Sequence, residues 1–362
     1  MSSYRTLLDR SPKIMAFDTC VKGDAPPQIS ILLPTCNRPK LLENCLAALS
    51  RQETKYMFEI IVVNNAPAHA DISDVVAQFP QARTITEKRP GLSYARNAGI
   101  RAARGDILVF TDDDTLASPD WLENLAAPFF SRAEIMAVTG QTLPLKLETE
   151  AEILFEAYGG LWCGATRSEF NKEWLSSRRL YLPLWVIGTT ANAAFRACIF
   201  RDPAVSLLDE RLGAGSPVGA WEDLYLFYRI LRAGGVIVYQ PNARLRHAHR
   251  EHLHDLGEQL KAYRRGEVAF CLLSLLRERE WRSLLHLCLW IPYWRTTQLA
   301  GELLRRIRGQ RRFRLRLVLK EWFAYLEGVP ALILSHQQVQ RWAKESSNAV
   351  PSTEIAGNLR PS

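Results

Sequence analysis

The 362-residue sequence predicts an α/β fold with a mostly parallel central sheet flanked by helices, and three observations carry that expectation. Short, largely apolar runs at residues 29–33, 58–63 and 107–110 read as strands, the last, four apolar residues in a row, as one buried on both faces. Stretches with apolar residues at helical spacing fall between them, which makes βαβ units. Each run ends in a polar or acidic cluster, at the carboxyl end of its strand, where open α/β sheets gather ligands.

In chain order, residues 1–27 mix charge with Gly23, Pro26 and Pro27 and read as an arm. Strand 29–33 ends in Pro34-Thr35-Cys36-Asn37-Arg38, and Pro39 opens a helix with Leu41, Leu42, Cys45, Leu46 and Leu49 at helical spacing. Strand 58–63 closes on Asn64 and Asn65. A helix near 72–79 and a short strand at 83–86 follow. Ser93 can cap a helix running to Arg104, with Gly105 as its stop. Arg96 then falls in the first turn, where helix dipole and guanidinium together favour an anion. A solvated side chain is the commoner reading of one such arginine.

Strand 107–110 delivers three carboxyl groups, Asp112, Asp113 and Asp114, to its carboxyl end. Such a cluster repels itself unless a cation neutralises it, and an all-oxygen site suits Mg²⁺ or Mn²⁺. The plainer reading is an acidic turn capping the next helix, whose start is marked by Ser118 and Pro119. Helix 121–130 and strand 135–140 come next. From 142 to about 179 the pattern is irregular, with Tyr158, Trp162, Phe170 and Trp174 set among glycines; an acceptor-binding segment and a loose helical insertion fit equally. Residues 184–187 and 192–196 read as a strand and its return around a small-residue turn. A loop at 209–217 leads to Trp221-Glu222-Asp223, which opens a helix ending at Gly234-Gly235. Acids at a helix start are also favoured by the macrodipole alone. Strands 236–239 and 243–248 close the order, with His247 and His249 on one side of the second.

The apolar fraction of 47% and charged fraction of 23% are those of a folded protein. A net charge of +8 points to a negatively charged partner: nucleotide, nucleic acid or anionic lipid. That charge is local, since residues 258–345 hold 17 Lys+Arg against 8 Asp+Glu. Tryptophans and leucines at 272–294 precede arginines 305, 306, 308, 311, 312, 314 and 316, a pattern that fits helices lying in a membrane interface. The rival is a cationic helical subdomain packed on the core. The longest apolar stretch, 284–294, is too short to span a bilayer. Seven scattered cysteines without a Cys-x-x-Cys pair suggest free thiols in a reducing compartment, and no export signal is expected. The divisions expected are an arm (1–27), a catalytic domain (28–256, with halves at 28–140 and 141–256), a helical extension (257–345) and a disordered tail (346–362).

The clusters Pro34-Thr35-Cys36-Asn37-Arg38, Val62-Val63-Asn64-Asn65, Gly91-Leu92-Ser93-Tyr94-Ala95-Arg96-Asn97, Asp112-Asp113-Asp114 and Trp221-Glu222-Asp223, in that order, resemble the family 2 glycosyltransferases over about residues 28–250. The resemblance implies a GT-A fold and inverting transfer of a sugar from a nucleotide-diphosphate donor, a UDP-sugar first, to an acceptor hydroxyl. It implies Mg²⁺ or Mn²⁺ as cofactor. By it, Pro34, Thr35, Asn37, Arg38, Asn64, Asn65, Arg96, Asn97, Asp112 and Asp113 bind the nucleotide sugar. Asp114, Asp112 and His247 hold the metal, with His249 as rival; Asp223 is the general base and Glu222 its neighbour. The family's second-strand acid corresponds to Asn64 or Asn65, and an amide reads a base edge differently from a carboxylate. The implied acceptor is a glycan or lipid-linked glycan, in cell-surface polysaccharide or lipid-linked glycan synthesis. The implied location is cytoplasmic, peripheral at the inner face of the cell membrane through the extension. A nucleotidyltransferase is disfavoured because no Gly-rich loop with a following Lys succeeds the first strand. A catalytically silent, membrane-associated relative of the fold is the other alternative. Nucleic acid is not an expected partner, because no recognised binding motif accompanies the basic tail.

Overall fold

The computed structural model describes residues 29–66, 68, 71–308 and 315–348. The expected arm, the arginines at 311, 312 and 314, and most of the expected disordered tail lie outside them. Nine strands and eleven α-helices are described: β1 (Ile29–Thr35), α1 (Pro39–Leu49), β2 (Phe58–Asn64), α2 (Ser73–Val76), β3 (Ala82–Thr86), α3 (Leu92–Ala102), β4 (Ile107–Thr111), β5 (Thr115–Ala117), α4 (Trp121–Ser131), β6 (Ile135–Pro144), α5 (Glu150–Ala157), β7 (Ser168–Phe170), α6 (Lys172–Ser177), β8 (Asn192–Arg196), α7 (Glu222–Arg232), β9 (Val236–His247), α8 (Leu253–Glu278), α9 (Arg282–Leu285), α10 (Ile291–Ile307) and α11 (Leu315–Asn348). α11 thus continues past 346, where a disordered tail was expected.

Strand order is β3-β2-β1-β4-β8-β6-β9-β5, with β7 added against β9. The β3-β2-β1-β4 side is parallel as expected. The other side is mixed, because β8 runs antiparallel to both β4 and β6. Its first residue, Asn192, pairs with the last of β4, Thr111. The chain re-enters the sheet at the carboxyl edge of β4, so β8 has to run back.

Alternation along the strands feeds two cores. Leu32, Ile61, Val63, Leu108 and Phe110 pack with α7 and α8, while Ile31, Leu33, Ile60, Val62 and Val109 pack with α1 and α4. α8 therefore lies in the main core: Ala269, Phe270, Cys271 and Leu273 are buried there. For this helix the packed reading of the extension holds.

Several local expectations are corrected. Residues 184–186 form a 3₁₀ turn after Pro183, which turns Leu184 and Ile187 inward together, three residues apart. The two strands at 236–239 and 243–248 are one, β9, with a register shift between Gly140 and Gln141 of β6 absorbing the extra residues. Ser93 does not cap α3; its hydroxyl donates to Leu212 O, and α3 ends at Ala102, short of Gly105. Ser118 likewise donates to Arg244 O, and Asp120 precedes α4. Residues 142–179 are more ordered than their pattern suggests, because Thr149 and Glu152 form a capping box on α5. Cys36, Cys45, Cys163, Cys271 and Cys288 are free thiols, but Cys198 is disulfide-bonded, against the expectation.

Candidate active site

The carboxyl ends of β1 and β4 meet the start of α1. Thr35 donates its hydroxyl to Asp113 Oδ2 at 2.7 Å. Arg38 Nη1 reaches Asp113 Oδ1 and Asp114 Oδ2, both at 3.2 Å. Burial pushes Asp113 up to about 6, against the opposing Thr35 hydrogen bond and Arg38 charge. Pro34 is buried in β1 opposite Val63, and Asn37 is exposed at φ 56, a left-handed conformation that asparagine tolerates. Asn64 and Asn65 behave differently. Asn64 Oδ1 accepts from Ala66 N. The Asn65 amide donates to Glu87 O and Arg89 O and accepts from Gly91 N, so it fastens the turn into α3.

Arg96 is 1% exposed, not solvated, and lies in the second turn of α3. Its Nη2 donates to Asp112 Oδ1 at 2.8 Å and its Nη1 to Glu222 Oε1 at 2.9 Å. One residue on, Asn97 faces elsewhere: its amide clasps Leu208 through both N and O and also donates to Glu210.

Glu222 and Asp223 begin α7 after Trp221, whose φ of 74 is left-handed. Such a conformation in a bulky residue costs on the order of 1–3 kcal/mol and persists only where packing imposes it. Here the indole packs on Phe270 of α8, ring centroids 5.2 Å apart. It also fills the space above Gly266, where a Cβ would run into the ring. Gly213, at φ 94, closes against Ser93 and Glu222. Asp223 Oδ1 accepts from Leu224 N at 2.8 Å. Burial raises both carboxyls, and repulsion by Asp223 helps push Glu222 up to about 7 despite Arg96.

The pairing of β5 with β9 sets His247 opposite Thr115. His247 Nε2 lies 3.4 Å from Asp114 Oδ1. His249 turns away: its Nε2 meets Glu156 of α5 at 2.8 Å, its ring packs on Phe155, and burial lowers its pKa. The strand period that grouped the two histidines ends at His247. Glu156 and the α5 cap were missed by sequence reasoning, although the Thr-x-x-Glu spacing at 149–152 was there to find.

Among the described residues no three His, Cys, Asp or Glu side chains are grouped so as to hold a metal by themselves. Even so, Asp114 Oδ1 is buried without a hydrogen-bond partner. One carboxylate and one imidazole converge there, with Asp112 tied to Arg96 alongside. Mg²⁺ is commonly bound by one or two carboxylates, with water and substrate phosphate completing its shell, so the donor set fits such an ion. Charge points the same way: Asp112, Asp113, Asp114, Glu222 and Asp223 are five carboxyl groups gathered around two guanidinium groups, Arg38 and Arg96.

Residues 30–146 match the family described as Glycosyl transferase family 2. An uncharacterized glycosyltransferase, YfnE, of Bacillus subtilis is 38% identical over 94 residues, 25% of this chain and 24% of that protein. An N-acetylglucosaminyltransferase of Sinorhizobium fredii is 28% identical over 239 residues, 63% of this chain and 54% of that one. The hyaluronan synthase of Pasteurella multocida is 35% identical over 104 residues, 27% of this chain and 11% of the synthase. The chain thus spans about half or less of the length of these relatives.

Proposed function

We propose that this chain, which belongs to the family 2 glycosyltransferases through residues 30–146, moves a sugar from a nucleotide-diphosphate donor to an acceptor hydroxyl with inversion. The observation that carries the reading is the buried Arg96 guanidinium, which joins Asp112 of the acidic turn to Glu222 at the start of α7. Carboxyl groups 110 positions apart thereby share one centre, with Asp223 beside them.

Asp223 takes the proton of the acceptor hydroxyl, the freed oxygen attacks the anomeric carbon, and the bond from that carbon to the diphosphate breaks. One displacement inverts the centre and needs one base; such assistance is worth roughly 10²–10⁴-fold. Glu222 holds the charge around the base, and Arg96 orients Glu222. Arg38 is more open than Arg96, its side chain 37% exposed, and meets the donor's diphosphate. Pro34, Thr35, Asn37, Asn64 and Asp113 shape the nucleotide pocket, while Asn65 and Asn97 position its walls. Asp114 and His247 hold Mg²⁺ or Mn²⁺ with Asp112 beside them; when bound, the ion neutralises charge on the leaving diphosphate.

A UDP-sugar is the proposed donor, and a polysaccharide or lipid-linked glycan the proposed acceptor. The names of the relatives support a glycan product. An anionic membrane surface is the proposed partner of the C-terminal helices. Trp281, Leu284, Leu289, Tyr293, Trp294 and Phe323 are exposed there among basic residues. No helix among the described residues is long and apolar enough to cross a membrane. A peripheral position at the cytoplasmic face is the proposed location, resting on that exposed apolar and basic face.

The test is thermal stabilisation by UDP, GDP, dTDP and CDP, each with and without Mn²⁺, in the wild type and Asp114→Ala. A nucleotide at a hundred times its Kd adds about 2.7 kcal/mol. The proposal expects one nucleotide to stabilise only with metal and the variant to lose that gain. If no nucleotide stabilises the wild type, the donor and metal assignments fall.

A further inference from the structure

A second buried cation lies outside this centre. Residues 203–211, α7, the end of α8 and α11 surround a cavity of about 490 Å³. Arg229 lines it and is only 8% exposed. Its Nη2 donates to Leu207 O at 2.9 Å and its guanidinium lies 4.8 Å from the Tyr225 ring centroid. Its Nε is buried without a partner. The lining carboxyls are already engaged: Asp209 by Arg211 and Arg277, Glu210 by the Asn97 amide, and Glu278 by the Tyr225 hydroxyl and Arg232. Arg229 thus has no carboxylate in ion-pair contact among the described residues; Asp209 and Glu278 act on it only at longer range. A guanidinium buried without a contacting carboxylate is poorly compensated, and the N–H groups of Arg229 not taken by Leu207 offer donors to an oxyanion. The cavity's rim also holds Ser206 at φ 60, a strained conformation of the kind that gathers at binding sites.

We infer that this cavity binds a small oxyanion, a phosphate or carboxylate group, against Arg229. The cavity wall continues into the reaction centre. Residues 203–211 run on to Gly213, which abuts Glu222, and Asn97, next to Arg96, clasps Leu208. An anion seated on Arg229 fixes the segment that closes over Glu222, so the site is built to be felt at the centre without belonging to it.

The test follows the melting of the full chain in sodium phosphate and in sodium acetate, each against sodium chloride of matched ionic strength. Wild type, Arg229→Gln and Arg229→Lys are compared. At ten times its Kd, a bound anion raises Tm by about 2 °C above chloride. The expected result is that rise in the wild type, none in Arg229→Gln, and a smaller one in Arg229→Lys. A rise with phosphate alone identifies a phosphoryl ligand, and a rise with acetate a carboxylate. Phosphate captured at the reaction centre appears equally in all three proteins, so a rise of the same size in Arg229→Gln overturns the inference, as does no rise in the wild type. Should Arg229→Gln not fold, phosphate affinity by equilibrium dialysis decides: unchanged binding in Arg229→Lys rejects the site, and tenfold weaker binding supports it.

Discussion

The reaction centre and the C-terminal helices each bury a cluster of charges, and the two clusters are balanced in opposite ways. Around Arg96 and Arg38, carboxyl groups are in excess, and burial, with repulsion among them added, pushes Glu222 up to about 7 and Asp113 to about 6. Among α8, α9, α10 and α11, Glu267 and Glu321 are met by Arg264, Arg295 and Tyr325 and by His286 of the turn after α9. There the carboxyl of Glu267 is held far below the usual range, its His286 hydrogen bond and neighbouring cations outweighing the effect of burial. Matched charges pin helices together, whereas an acid excess is a poor way to hold a fold and a good way to attract a cation or a proton. The two regions touch at Trp221, where α8 supports the residue that aims Glu222 and Asp223.

If the helical cluster is structural, breaking it should unfold the protein. Glu321→Ala strips Arg295 of its carboxylate and leaves Arg264 only Glu267, and the expected cost is about 3–5 kcal/mol, read by chemical denaturation. Gly266→Ala strikes where the regions meet. Its added methyl is expected to cost about 1–3 kcal/mol and to slow transfer in the molecules that remain folded. A variant that loses stability at normal turnover would separate the two regions.

The acid excess also fixes the response to pH. A raised folded pKa means the native state keeps protons that the unfolded chain releases. Stability present below about 4.5 is therefore lost as pH climbs through about 7, where Glu222 ionises. Glu222→Gln removes the carboxyl that ionises near 7, so the stability loss between about 4.5 and 7 should flatten, read by chemical denaturation across that range. The smallest effect concerns the outer face. Trp294→Ala should change stability by no more than about 0.5 kcal/mol yet weaken sedimentation with anionic vesicles; undiminished binding would remove the membrane role from this face.

Much of this was legible in the sequence because burial on both faces leaves apolar runs, unbroken in β4 and interrupted once each in β1, by Ser30, and β2, by Glu59. The same rule misled at 184–187, where Leu-Trp-Val-Ile after Pro183 fits a tight helical turn as well as a strand. At β9 the chain carries Pro241 and Asn242 through a bulge that only the partner strand reveals. Site residues could be named by type, but their partners could not. Arg96 meets acids 16 and 126 positions away, and nothing local distinguishes it from a surface arginine. His247 and His249 part company only because α5 brings up Glu156.

The most direct test of the centre is the rate of nucleoside diphosphate release from a panel of UDP-sugars, with acceptor glycan present, by wild type and Asp223→Asn, alongside nucleotide stabilisation of both. The account predicts a loss of roughly 10²–10⁴-fold in rate with nucleotide stabilisation intact. Near-normal turnover in Asp223→Asn would contradict it and move the base elsewhere.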